Sequence, residues 1–344
     1  MATSADRITV GDVVETLNRL TKGRMVVDWH ELAAGTNPYV VTKTSNIPGK
    51  GIIEIPGLII GDKRKPVSRL GVGMTLTESM IELASALRLD VVIVHHPVAD
   101  AASSGGVPLA DYLPLYDIAL IEMHEAFHGL HPGVTWLHGH RRIATDTAFG
   151  GIPGNVLHKG VALDEIRTAE DILHRIEQWM GREIDRHLLE AERAIRGESG
   201  LQEATLANPA QLLSGAPDSP VRHVLHFFPH TGFSLDHLKQ ALALYPETDT
   251  IIVSISRVRE DHPFVQFARE HGLTFIVGNP HSVELLENGL PLAYALEMLL
   301  PGVEIMLLRE RMTAVSLKDI GLRKMAEYGR AMAGTYLVNK VLAP

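Results

Sequence analysis

Hydrophobic and polar positions divide the chain into strands and helices that alternate. The run VVIV at 91–94 has four consecutive β-branched residues, which predicts a strand buried on both faces, as in a parallel sheet. Residues 76–88 place Met80 and Leu83 on one face of an amphipathic helix that leads into this strand. With a further short strand at 67–72, the order is strand, helix, strand, which is the repeating unit of a parallel α/β sheet.

The same alternation returns in the last third of the chain. Residues 234–244 predict an amphipathic helix, and two short apolar runs at 250–254 and 274–278 predict buried strands. A charged helical stretch and a segment rich in Gly, Ser, Asn and Pro separate the two regions. We therefore predict an α/β fold with two related halves and parallel-containing sheets, divided into 1–142, a helical connection and linker at 143–219, and 220–344.

Two adjacent histidines follow the 91–94 strand. Inside a strand, the side chains of His95 and His96 would point to opposite faces. At the carboxyl end the chain turns, and Pro97 restricts the backbone of His96, so that both imidazoles can face one crevice. Ligands collect at this edge of open α/β sheets, and imidazole is the commonest metal ligand in proteins. This pair predicts a metal site rather than a structural pair.

Two later predicted strands end in the same residue types. His128 follows the first of them, and His281 and Glu284 follow the second. Histidine and carboxylate donors suit zinc, iron or manganese, and five ligands are enough for one or two divalent ions. The alternative is chance, because a chain with 18 histidines places some of them at strand ends without any role.

Composition narrows the classes of function. The 344 residues include no cysteine, which excludes disulfides, thiolate nucleophiles and cysteine-ligated metals. A net charge of −9 argues against nucleic acid as a partner, and no run is long enough for a membrane span. The first residues lack an apolar signal core, so we predict a cytoplasmic protein.

Four segments resemble one known family. They are GLIIGD at 57–62, DVVIVHHP at 90–97, the segment from His124 to Val134, and GNPHSVE at 278–284. In this order they are similar to the motifs of the Nif-three-like dinuclear metal-centre family, some of whose members are called GTP cyclohydrolase I type 2 homologues. The resemblance extends over roughly residues 10 to 310.

The resemblance implies a ligand set with two departures. His95, His96 and His281 match family ligands directly. His128 stands where the family has an aspartate, and a neutral imidazole lacks the negative charge and the bridging oxygens of a carboxylate. Glu284 comes one residue before the family's glutamate position, with Glu287 as the alternative ligand.

The family also implies a ring-like homohexamer and, for the chemistry, a metal-dependent hydrolase. Its substrate would be a small molecule whose C–N bond, in a cyclic amide or amidine, is attacked by a metal-bound hydroxide. His124 or Glu125 would move the proton to the leaving nitrogen, unless the two form a buried structural pair. Arg141 and Arg142 offer an anion site or a plain surface loop.

The competing hypothesis is a non-catalytic metal-binding scaffold or regulatory interaction protein. A third possibility, a phosphoesterase, would need more carboxylates than the sequence offers.

Overall fold

Two sheets, one of five strands and one of six, form the framework of the protein. This computed structural model describes residues 7–44, 51–98, 109–254, 258–280 and 283–338. In chain order the strands are β1 (Val41–Thr44), β2 (Gly51–Glu54), β3 (Gly57–Ile60), β4 (Arg69–Gly73), β5 (Val91–Val94), β6 (Ala119–Glu122), β7 (His140–Asp146), β8 (Leu157–Ala162), β9 (Gln202–Glu203), β10 (Gln211–Ser214), β11 (His223–Phe227), β12 (Thr250–Val253), β13 (Thr274–Val277), β14 (Glu304–Leu307) and β15 (Thr313–Ala314).

Helices cover both faces of each sheet. In chain order they are α1 (Val10–Leu20), α2 (Trp29–Ala34), α3 (Glu78–Ala86), α4 (Leu109–Leu115), α5 (His124–Phe127), α6 (Val134–Leu137), α7 (Ala169–Trp179), α8 (Arg182–Arg196), α9 (Ala204–Ala207), α10 (Leu235–Leu244), α11 (Pro263–Glu270), α12 (Leu290–Leu299) and α13 (Arg323–Met332). Among the described residues, every helix is too short or too polar to span a bilayer.

The five-stranded sheet has the order β14-β4-β5-β6-β3, in which all strands except β3 run parallel. Its central strand β5 explains the VVIV run. Val91 and Ile93 pack with α1 and α12 on one face, and Val92 and Val94 pack with α3 on the other. All four side chains are almost fully buried, because helices cover both faces of the parallel strands.

The six-stranded sheet has the order β10-β13-β12-β11-β8-β7, with β11, β12 and β13 parallel to one another. Leu225 and Phe227 of β11 face α10 and α11, whereas Val224 faces α7. The predicted fold class, α/β with parallel-containing sheets, is therefore confirmed.

The two sheets do not follow the boundaries expected at 142/143 and 219/220. β14, near the end of the chain, joins the first sheet beside β4. β7, β8 and β10 join the second sheet, although the sequence had suggested that most of this region was helix and linker. Backbone pairing thus interleaves the halves, and hydrophobic periodicity in short segments does not carry this information.

The start of α3 also differs from the capping pattern in the sequence. The letters TLTE at 75–78 have the form of a capping box with Thr75 as the N-cap. In the structure Thr77 is the N-cap, and its hydroxyl accepts a hydrogen bond from the backbone N–H of Met80. Thr75 is left to contact a side chain outside the helix.

Candidate metal centre

The carboxyl ends of the parallel strands in both sheets meet at one small cavity. Its lining includes His95 and His96, which follow β5, and Phe228, which follows β11. The cavity measures about 20 Å³, enough for a water-sized occupant. We define the cavity cluster as the polar residues that line or adjoin it: His95, His96, His124, Glu125, His128, His131 and Glu284.

Both histidines that end β5 reach this cavity. The ring centroid of His95 lies 5.6 Å from that of His96, 5.4 Å from that of His124 and 5.1 Å from that of His131. The backbone N–H of His96 donates to Met74 O at 2.8 Å, which fixes the turn after the strand. The turn thus brings two adjacent imidazoles to the same place.

His96 is held from both ring nitrogens. Its Nδ1 lies 2.6 Å from Thr75 Oγ1, and its Nε2 lies 2.8 Å from Glu284 Oε2. A hydroxyl can donate or accept, so Thr75 can orient the ring in either tautomer. Sequence analysis missed this role of Thr75; its position just beyond β4, the neighbour of β5, is the signal that could have found it.

Glu284 reaches the cavity although it stands one residue before the family position. A π-helical turn, Leu285–Gly289, follows it directly. Glu287 faces elsewhere, since its Oε1 accepts a hydrogen bond from Asn279 Nδ2 at 2.6 Å and lies 3.7 Å from His138 Nδ1. The predicted ligand His281 lies outside the described residues.

The helical turn α5 concentrates three donors. Ligand atoms of His124, Glu125 and His128 all lie within 4.8 Å of one another, so this group could hold a metal ion. The two carboxylate oxygens of Glu125 point to the two imidazoles, at 3.5 Å from His124 Nδ1 and 3.4 Å from His128 Nδ1. Glu125 lies within this turn, and His128, three positions later, follows the last residue of the turn.

Glu54, on β2, is a second residue that sequence analysis missed. Its Oε2 lies 2.7 Å from His124 Nδ1, and the side chain is almost fully buried. Burial opposes a charge on His124, but the contacts with Glu125 and Glu54 outweigh it and raise the pKa of His124 to about 9. Burial likewise opposes the charge of Glu125, but contacts with His124 and His128 prevail and hold its pKa below the usual range. A charged residue within the apolar segment IIEIP was the only sequence signal for Glu54.

Two arginines hold the loop after His128 from outside the cavity. Arg24 Nη1 donates to His128 O at 2.8 Å, and Arg142 Nη1 donates to Gly129 O at 2.9 Å. Arg142 lies on β7 beside the exposed Arg141. Neither Arg141 nor Arg142 lines the cavity, so the anion role considered for them has no support at this site.

The remaining imidazoles have the properties of metal ligands. Burial first, and then neighbouring histidines, lower the pKa of His95 and of His131 well below the usual value, so both rings are neutral and carry a lone pair. Within the part of the chain that the structure describes, His95 Nδ1 and both nitrogens of His131 have no hydrogen-bond partner. Buried polar atoms normally have partners. This donor set fits a divalent ion.

A comparison of the sequence with protein families finds one family over part of the chain. The sequence model of the Duf34/NIF3 family (NGG1p interacting factor 3) matches residues 50–103, the segment that contains β5 and the His95–His96 pair. The resemblance to the Nif-three-like family is therefore confirmed. A search of curated proteins finds no match.

Solved structures share the fold over most of the chain. The hypothetical protein SA1388 of Staphylococcus aureus has a TM-score of 0.54 at 14% identity, covering 88% of this chain and 97% of its own. Reduced HcgD from Methanocaldococcus jannaschii has a TM-score of 0.54 at 14% identity, with coverages of 88% and 98%. Protein ybgI, described as of unknown function, has a TM-score of 0.52 at 16% identity, with coverages of 88% and 98%. At these identities the likeness shows the fold.

Proposed function

We propose that this protein is a metal-dependent hydrolase that cleaves the C–N bond of a small cyclic amide or amidine. The observation that carries the proposal is the cavity cluster itself: histidines and carboxylates from both halves converge on one small cavity and include buried ring nitrogens without a hydrogen-bond partner among the described residues. These donors are largely buried and include no sulfur. Such a set is typical of hydrolytic metal sites.

His95, His96, His128 and Glu284 would hold the ion, with His281 as a further predicted ligand. One or two divalent ions, zinc, iron or manganese, are compatible with these donors. When bound, the ion supplies a Lewis acid for the substrate oxygen and lowers the pKa of a water molecule. His128 carries no negative charge, unlike the aspartate that the family has at this position. The carboxylate of Glu125, 3.4 Å away, supplies a negative charge in the same segment.

His124 and Glu125 would handle the protons. The contact between His124 Nδ1 and Glu54 Oε2 fixes the imidazole, which leaves Nε2 to deliver a proton to the leaving nitrogen. Glu125, 3.5 Å from His124 Nδ1, would stabilise the protonated form of His124 that donates this proton. Glu54 acts as a positioning residue, because it touches His124 rather than the reacting atoms.

The test is elemental analysis of the purified protein together with an activity screen on cyclic amides, cyclic amidines and phosphoesters. The hydrolase proposal expects bound divalent metal and turnover of a cyclic amide or amidine that stops on metal removal. Turnover of phosphoesters alone would contradict it. Glu125→Gln should abolish turnover and keep the fold.

A non-catalytic role is the second candidate, and one observation favours it. The helix α13 exposes Met325 and Tyr328, at 61% and 68% of their surface, and the segment after it exposes Leu337 at 67%. Exposed apolar side chains on one element are typical of interaction surfaces. This role predicts bound metal without turnover of any compound in the screen.

We further propose a closed homo-oligomer, a hexamer as in the family that the sequence resembles. Tyr294 and Met298 on α12, and Met312 before β15, are exposed at 56%, 78% and 76%, which supports a buried interface in the assembly. Sedimentation of the protein as a monomer at micromolar concentration would contradict this. A cytoplasmic location stays a prediction from the sequence.

A further inference from the structure

A second, larger cavity opens beside the candidate metal centre. It measures about 600 Å³, within the usual range of small-molecule pockets, whereas the cavity between the histidines measures about 20 Å³ and is too small for a substrate. His96 lines both cavities. His96 is thus the residue of the candidate metal centre that a molecule in the larger cavity would contact.

Most of the lining of the larger cavity is apolar. Met74, Met80 and Leu308 are buried side chains on its wall, and Leu83 and Met312 add apolar surface that is exposed to solvent. Methionine has three rotatable bonds and adapts to irregular shapes. This wall suits an apolar body, and it is not selective for one shape.

The segment that follows β14 contributes three charged side chains to the lining, Arg309, Glu310 and Arg311. Arg311 Nη1 pairs with Glu192 Oε2 at 2.6 Å, and Glu310 Oε1 accepts a hydrogen bond from the backbone N–H of Thr75 at 2.9 Å. Arg309 is exposed and has no ion pair or hydrogen bond among the described residues. It is thus a positive charge of the lining that forms no ion pair with a described side chain, although the carboxylate of Glu310 lies in the same lining.

We propose that the larger cavity binds the substrate of this protein, a small molecule with an apolar body and one anionic group. The anionic group pairs with Arg309, the apolar body lies along Met74, Met80 and Leu308, and the bond to be cleaved lies at His96. The proposal rests on the hydrolase function for the role of His96. The combination of Arg309 with an apolar wall is a feature of the cavity and does not depend on the hydrolase function.

Binding is tested with 4-phenylbutyrate and its neutral analogue 4-phenylbutyramide, titrated by saturation-transfer NMR against metal-free and zinc-loaded protein. We expect the anion to bind about tenfold more tightly than the amide, the value of one charge-assisted hydrogen bond. Arg309→Ala should remove this difference. Arg141→Ala, which deletes the same charge from an exposed position on β7, is the matched control and should preserve it.

Equal affinity for the two probes, or the same loss in both arginine variants, would overturn the proposal. Ala204 also lines the cavity, so Ala204→Trp should fill it and weaken both probes while metal content stays unchanged. Unchanged binding in a folded Ala204→Trp protein would place the probes elsewhere and would also overturn it. If this variant does not fold, the comparison of the arginine variants decides.

Turnover separates this proposal from the hydrolase function. The substrates are 5-(4-carboxyphenyl)hydantoin and 5-(4-carbamoylphenyl)hydantoin, which differ in one charge. If neither is cleaved and Arg309-dependent binding of 4-phenylbutyrate holds, the cavity proposal stands as a ligand site and the hydrolase function fails for these rings. If both are cleaved equally and Arg309→Ala changes neither, the hydrolase function stands and the cavity proposal fails.

Discussion

Two groups of largely buried histidines lie on either side of Phe228 and differ in the groups that their ring nitrogens contact. The cavity cluster lies on one side; its nearest ring, that of His131, has its centroid 6.0 Å from that of Phe228. On the other side lies a group that we call the interior cluster: His138, His140, His158 and His226. Its rings are at most 1% exposed, and ring centroids of His226 and Phe228 lie 5.9 Å apart.

In the interior cluster five ring nitrogens have partners within the protein, and three, His138 Nε2, His140 Nδ1 and His158 Nε2, have no hydrogen-bond partner among the described residues. His226 Nδ1 lies 2.9 Å from His140 Nε2, and its Nε2 lies 2.5 Å from Ser254 Oγ. His158 Nδ1 lies 2.8 Å from Thr145 Oγ1, and His138 Nδ1 lies 2.7 Å from Val134 O. These contacts hold four imidazoles in a packed interior with no carboxylate at hydrogen-bond distance among the described residues.

Two glycines show where the other interior nitrogens point. A Cβ on Gly160 would overlap His140 Nδ1, and a Cβ on Gly278 would overlap His138 Nε2, so one nitrogen faces the backbone within β8 and the other faces the backbone just after β13. These nitrogens therefore do not converge on one point. The difference indicates which buried imidazoles are candidates for a metal site: those whose lone pairs face a common cavity, with carboxylates beside them and room for an ion.

The largest contrast should appear in metal content. His95→Ala combined with His96→Ala removes two donors of the cavity cluster, so the protein should lose its metal and keep its fold. The protein with His140→Ala and His226→Ala should keep its metal and lose stability, because these changes remove hydrogen bonds and packing from a closed interior. Elemental analysis and denaturant unfolding of the two double variants check this. Full metal occupancy in the first, or metal loss from a folded second, would reverse the assignment of the clusters.

The sequence predicted the position of the cavity cluster because it predicted strands. Four β-branched residues before His95 identify a buried strand and its end, and the carboxyl ends of parallel strands lie on one edge. The sequence could not separate the clusters, because His226 lies within β11 and His138 follows a helical turn, and nothing local shows which rings face a cavity. The role of Glu54 could not be predicted for a similar reason, since Glu54 and His124 are 70 residues apart in the sequence.

Gly160→Ala should damage the interior cluster and leave the cavity cluster intact. The added Cβ would overlap the ring of the fully buried His140 and approach Arg141 O to 3.0 Å, so stability should fall by about 2 kcal/mol. Gly329→Ala is the control: it lies in α13 with open space around it and should stabilise the helix by up to about 1 kcal/mol. Denaturant unfolding gives both values. A neutral Gly160→Ala would mean that the interior cluster is loosely packed.

Acid should act on the interior cluster through the folding equilibrium. Burial lowers the pKa of His138 to about 4 and that of His158 to about 3, against 6.5 for an unperturbed histidine. Between pH 6.5 and about 4 the unfolded chain therefore binds protons that the folded protein does not, and stability falls by about 1.4 kcal/mol per pH unit for each group. Above pH 6.5 these two groups contribute no slope.

The matched measurement is denaturant unfolding of metal-free protein between pH 7.5 and 5. His158→Gln removes one titrating ring and should reduce the slope below pH 6.5 by about 1.4 kcal/mol per pH unit. His187→Gln changes an exposed histidine on α8 and should leave the slope as it is. Identical slopes in all three proteins would show that His158 is protonated in the folded state.

The smallest effect concerns two hydrogen bonds of the same kind, one in each cluster. Thr75 Oγ1 lies 2.6 Å from His96 Nδ1, and Thr145 Oγ1 lies 2.8 Å from His158 Nδ1. Thr75→Ala frees the ring of a proposed metal ligand, so zinc affinity should fall about tenfold, and Thr75→Ser, which keeps the hydroxyl, should restore it. Thr145→Ala should lower stability by about 1 kcal/mol and leave zinc affinity unchanged. Competition with a zinc chelator measures both variants. Equal zinc affinity in Thr75→Ala and Thr145→Ala would mean that the hydroxyl of Thr75 does not orient His96 for an ion, and that the two threonines serve packing alone.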